Sequence, residues 1–201
     1  MAIKAIIFDF GGVLIRDEDS SRRTLWEQRL GLPAGRLSEL IFFSEMSQQA
    51  MMGEVPVSAL WDYVVEQVNL PVAEREQLMR DFWWGDRLNT ELLAFLEALH
   101  ARYQTAILSN AWSNARQLFT EEFGFAPLVE EMIISAEVGL AKPDPRIYEL
   151  ALARLRVAPE EAIFIDDMLE NVEAARDLGI RAVHFQENAA TIAAVRALLG
   201  D

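Results

Sequence analysis

The chain has 201 residues, no cysteine, a hydrophobic share of 52%, and 32 acidic against 18 basic residues for a formal charge of −14. That length suits one large domain, or one carrying a smaller insert. The missing cysteine excludes disulfides, thiolate catalysis and cysteine-ligated metals, and the negative charge without a basic patch argues against nucleic acid. No apolar stretch approaches the ~20 residues of a membrane span, and the first apolar run is broken by Lys4 and Asp9, unlike a signal peptide. The composition therefore reads as a soluble, cytoplasmic protein, monomer or homodimer, with no membrane or nucleic-acid partner.

In chain order, the run Ile3-Lys4-Ala5-Ile6-Ile7-Phe8 predicts a buried strand that stops at Asp9 and leaves through Phe10-Gly11-Gly12-Val13-Leu14. A lone carboxylate delivered to a glycine-rich exit is a candidate nucleophile, although Asp and Gly are also ordinary turn residues. Residues 16–89 lack strand-like alternation and show helical spacing over 25–30, 37–51, 57–68 and 73–83, punctuated by Pro33, Pro56 and Pro71. From residue 89 onward, short apolar runs at 105–108, 132–135, 162–165 and 181–185 read as strands. Between them lie helices over about 91–101, 113–123, 170–178 and 189–199, and one that begins with Asp144 as N-cap and Pro145 at its first position. This rhythm predicts an α/β fold, a doubly wound parallel sheet covered by helices. It assigns 1–15 and 90–201 to the core and 16–89 to a small helical cap inserted after the first strand, where it can act as a lid.

In such sheets ligands bind outside the carboxyl ends of the strands, so the residues just past each strand are the candidates. They are Asp9, then Ser109 and Asn110, then Ser135, then Asp166 and Asp167, with Lys142 in the loop Gly139-Leu140-Ala141-Lys142-Pro143-Asp144-Pro145. One lone carboxylate, a hydroxyl, an ammonium and an acidic pair suit phosphate together with a divalent cation.

Four motifs in this order and spacing carry a resemblance: Asp9-Phe10-Gly11-Gly12-Val13-Leu14, Leu108-Ser109-Asn110, Lys142-Pro143, and Phe164-Ile165-Asp166-Asp167 with Asn171. Together they are similar to the haloacid dehalogenase superfamily, specifically its phosphatase-type members with a Rossmann-like core and a helical cap. Within these, the chain resembles α-glucose-1-phosphatase-like proteins and the N-terminal phosphatase domain of epoxide hydrolases. The resemblance implies a phosphomonoester hydrolase acting on a small phosphorylated metabolite. Asp9 would attack phosphorus to form an aspartyl phosphate, splitting one difficult hydrolysis into two displacements. Mg2+ would be held by Asp9, Asp167, Asp166 as neighbouring ligand or anchor, and the main-chain carbonyl of Gly11. Ser109, Asn110 through its N–H, Gly12 and Lys142 would cradle the phosphate, helped by the positive end of the following helix, with Lys142 also neutralising charge in the transition state. Simpler readings remain beside these: Asp167 and Glu170 stand at capping-box spacing, Ser109 could cap a helix, and a loop lysine is usually solvated.

The sequence departs from the pattern at Gly11, where most phosphatases of the superfamily carry a second aspartate that protonates the leaving oxygen. Such assistance is worth ~100- to 10,000-fold, so its loss favours a sugar-1-phosphate or a similar ester whose leaving oxygen needs little protonation. Asp17 and Asp19 are substitute acids or simply part of a charged loop. Aromatic and methionine residues of the insert, Trp26, Phe42, Phe43, Met46, Trp61, Trp83 and Trp84 among them, are expected mainly to fill its own core. Arg22 and Arg23 sit near the hinge, and His100 and His184 lie on a helix end and a strand, with no part in a histidine mechanism. Two competing readings are a phosphate-ligand-binding regulatory protein that turns over little, and a metal-independent 2-haloacid dehalogenase using an insert arginine for the halide.

Overall fold

The computed structural model describes residues 2–200. Five strands, β1 (Ala5–Phe8), β4 (Gln104–Ser109), β5 (Glu131–Ile134), β6 (Ala162–Asp166) and β7 (Arg181–His184), form one parallel sheet in the order β5-β4-β1-β6-β7. β1 lies in the middle, with the chain wound outward on both sides of it. The apolar runs of these strands are continuous because helices cover both faces. Ile6 and Phe8 of β1, Ile107 of β4 and Ile163 and Ile165 of β6 enter one core. Their neighbours Ala5, Ile7, Ala106, Leu108, Ala162 and Phe164 enter the other. The strand period of two thus divides each run between two hydrophobic clusters.

The helix capped by Asp144 spans Pro145–Leu155, and the Asp144 carboxylate accepts from the Arg146 N–H as an N-cap should. Three local expectations need correction. The helix expected over 113–123 is a single turn at Ala115–Gln117 that widens into a π-helix at Leu118–Glu122. The long helix expected over 37–51 is two, Arg36–Phe43 and Glu45–Met51, because Ser44 is extended and its hydroxyl caps the second by accepting from Ser47 N. Ser135 opens a short helix, Ser135–Val138, rather than ending a strand.

Between residues 17 and 86 the chain is helical, and Trp26, Leu37, Ile41, Leu60, Trp61, Leu78 and Phe82 form a third hydrophobic cluster there. Phe43 and Trp84 are left largely exposed. At its base, β2 (Ile15–Asp17) pairs antiparallel with β3 (Asp86–Leu88), a two-stranded neck too short to register as a strand pattern in the sequence. Arg23 braces the neck, its guanidinium reaching Asp17 and Asp86 at 2.9 Å each and donating to the Phe82 carbonyl. No helix among the described residues is long and apolar enough to cross a membrane.

Candidate active site

The carboxyl ends of β1, β4 and β6 deliver Asp9, Ser109 and Asp166 to one place, and all three are buried. Lys142 arrives from the loop before Pro145–Leu155 and inserts its ammonium between two carboxylates, 2.7 Å from Asp9 Oδ1 and 2.6 Å from Asp166 Oδ2. Its side chain is only 1% exposed, so this lysine is not a solvated loop residue. The Lys142–Pro143 peptide is cis. Carboxylate oxygens of Asp9, Asp166 and Asp167 lie within 4.8 Å of one another, an arrangement that could hold a metal ion.

Asp166 is fixed by partners close in sequence, and Lys142 by one that is remote. Asp166 Oδ1 accepts from Met168 N at 2.8 Å and from Asn171 Nδ2 at 3.0 Å, and Tyr148 donates its hydroxyl to the Asn171 carbonyl. Asn110 uses its side-chain amide on the main chain of Lys142: Nδ2 donates to the carbonyl and Oδ1 accepts from the N–H, both at 2.8 Å. The Asn110 side chain is thus occupied in placing the lysine, while the group expected at phosphate is its main-chain N–H. The helix expected to follow Ser109 starts at Ala115, with Asn114 at its N-cap and no side-chain cap, so Ser109 does not cap it.

Asp167 is not a helix cap either. The helix Leu169–Asp177 has Met168 at its N-cap, and it is Asp166 that accepts the Met168 N–H. Gly12 explains where Asp167 goes instead. With φ at +77°, a left-handed conformation that suits glycine, it lies so close that a Cβ would stand 2.2 Å from Asp167 Oδ2. A Cβ on Gly11 would meet nothing within 4 Å, so at the position that lacks the second aspartate a side chain can start without a clash.

Electrostatically the site holds three carboxylates against a single ammonium. Burial pushes the Asp9 carboxyl up to about 7 against the pull of Lys142, and the charges of Asp166 and Asp167 add to the rise. Asp167 is also raised, by burial first and then by Asp166. Burial works against the Lys142 ammonium, but Asp9 and Asp166 outweigh it and its pKa shifts upward. Such an excess of buried negative charge suits a divalent cation of the hard, oxygen-seeking kind.

Two residues beyond Asn110, Trp112 joins the site to the helical insert, its ring stacked on Phe42 at 6.1 Å and tilted against Trp83 at 5.9 Å. Of the two hinge arginines, Arg22 is paired with Asp81 and lies 3.5 Å above the Trp84 ring, and Arg23 is the neck brace described above. His100 contacts Thr105. His184 meets the carbonyl of Asp167 at 2.9 Å, a contact with the site that hydrophobic patterning could not disclose.

A model of haloacid dehalogenase-like hydrolases matches residues 3–179. The chain belongs to that family. Among curated relatives of this haloacid dehalogenase-like hydrolase, bifunctional epoxide hydrolase 2 of Sus scrofa is 30% identical over 206 residues. These cover 91% of this chain but only 36% of the pig protein, so the chain spans about a third of that relative's length. A sesquiterpene phosphatase of Aspergillus oryzae is 28% identical over 98% of this chain and 97% of its own. Among solved structures, a haloacid dehalogenase family enzyme of Bacteroides thetaiotaomicron, in complex with magnesium and inorganic phosphate, superposes with a TM-score of 0.77. It covers 93% of this chain and 97% of its own at 24% identity, a likeness of fold.

Proposed function

We propose that this hydrolase cleaves phosphomonoesters through a covalent aspartyl phosphate on Asp9. The observation that carries the reading is the placement of Asp9 at the end of the central strand, beside a buried ammonium and two further carboxylates. The Asp9 carboxylate attacks phosphorus, the P–O bond to the leaving group breaks, and water then hydrolyses the acyl phosphate to regenerate Asp9 and free phosphate. Lys142, held rigidly by Asp9, Asp166 and the Asn110 clamp, faces the developing negative charge without having to reorganise. Ser109 at the end of β4 donates to a phosphate oxygen. Asp9, Asp167, Asp166 and the Gly11 carbonyl would hold Mg2+, which would supply the charge that lets an anionic nucleophile approach an anionic phosphate. Residues 16–89 form the cap, which meets the loop after β4 through the ring contacts of Trp112 with Phe42 and Trp83.

With Gly11 in place of a proton donor, the favoured substrates are small monophosphates with a good leaving oxygen, a sugar-1-phosphate or a similar ester. A dehalogenase would need an insert arginine available for halide, and the two nearest the hinge, Arg22 and Arg23, are both committed to carboxylates. The test is phosphate release across sugar phosphates, acyl phosphates, nucleotides and a phenolic ester, with Mg2+ or EDTA, for the wild type and Asp9→Asn. Mg2+-dependent release that disappears in Asp9→Asn is expected. Tight ester binding without release would instead favour a regulatory role, and EDTA-insensitive halide release from 2-haloacids would favour the dehalogenase.

A further inference from the structure

We propose that His184 is a positioning residue for Asp167, holding that carboxylate in the metal-ligand cluster; the inference rests on the magnesium-dependent reading above. The sheet ladder between β6 and β7 ends where Asp166 and His184 stand side by side in register and Phe185 N donates to the Asp166 carbonyl at 2.8 Å. Asp167 is the first residue past the ladder, and no strand holds its backbone. Its carbonyl is taken by His184 Nε2 at 2.9 Å. A carbonyl only accepts, so Nε2 carries the proton, whatever the state of Nδ1.

The three carboxylates are not anchored alike. Asp9 has Lys142, and Asp166 has Lys142, Asn171 and the Met168 N–H. Among the described residues the Asp167 carboxylate has the backbone N–H of Asp167 itself and no side-chain donor, yet like charges crowd it within 4.8 Å. Repulsion would turn this peptide outward unless its backbone were pinned. Gly12 opens the space on one side and His184 fixes the peptide on the other. His184 thus acts through Asp167, by its contact with that residue's main-chain carbonyl.

The test is calorimetric titration of MgCl2 into the metal-free full chain, with thermal unfolding in EDTA as the measure of fold. His184→Phe, which fills the space but cannot donate, is expected to weaken Mg2+ binding about 10- to 100-fold, the usual cost of removing such a support. His184→Gln, whose amide N–H can donate, is expected to restore most of it. In an Asp167→Asn background, His184→Phe should change the affinity by no more than about 2-fold, because the group it positions is already gone. Should His184→Phe not fold, His184→Asn, a shorter amide that withdraws the donor, carries the same comparison. Wild-type affinity in the folded donor-lacking variant, or an undiminished effect in the Asp167→Asn background, would overturn the inference. Absence of any Mg2+ signal in the wild type would overturn the magnesium reading and the inference together.

Discussion

Lys142→Met keeps the length and apolar stem of the side chain and removes only the ammonium that two buried carboxylates share. At 2.7 and 2.6 Å, each contact has a gross Coulomb energy of about 6 kcal/mol at an effective dielectric constant of ~20, most of it offset by desolvation of the ions. The net cost of stranding buried partners is roughly 3–5 kcal/mol. For a chain of 201 residues that lowers the melting temperature by roughly 6–20 °C. The pH dependence has a definite sign. Asp9 is already pushed up to about 7 by burial, and Lys142 is the group that opposes the rise, so in the variant its carboxyl climbs further. A carboxyl whose native pKa exceeds its unfolded value makes the native state the better proton binder, and stability then falls as pH rises from the unfolded toward the folded pKa. The gap between wild type and variant is therefore narrow at pH 5 and wide at pH 8. Urea unfolding in EDTA at both pH values measures it. A loss below ~1 kcal/mol at pH 8, or the same loss at both, would refute the assignment of Lys142 as the neutralising charge of a buried cluster.

Gly12→Ala places a methyl 2.2 Å from Asp167 Oδ2 at a positive φ, so it should cost ~1–2 kcal/mol of stability and weaken Mg2+ binding. Gly11→Ala, with open space at the same atom, should do neither, and titration of both variants separates the two. Gly11→Asp should raise turnover of alkyl phosphates up to ~100-fold and of aryl phosphates far less, read as kcat on paired substrates, because only the poor leaving group gains from a proton donor. Asp144, drawn down to about 2 by its bonds to Arg146, contributes its cap only while ionised. The difference in melting temperature between wild type and Asp144→Ala should be full above pH 4, and should fade as pH falls toward 2.

The five sheet strands were legible because a strand buried on both faces is a continuous apolar run, and Asp9 and the Asp166-Asp167 pair stood out as charges that end such runs. The neck was not, since three-residue strands such as Ile15–Asp17 carry too little pattern to distinguish from a loop. Likewise Ser44 divides an apparently continuous helical run, a choice made by one hydroxyl competing for a backbone N–H. By itself, the sequence determined which residues end the strands and what chemical types they are, because periodicity and side-chain chemistry are local. Only the tertiary structure decided the division of labour among them. The clamp of Asn110 on Lys142 spans 32 residues, the pairing of Lys142 with Asp9 spans 133, and the support of Asp167 by His184 comes from a neighbouring strand. Such partners are chosen by sheet order and loop geometry, and burial then makes each choice energetically decisive by removing the water that would otherwise compete for the same charges.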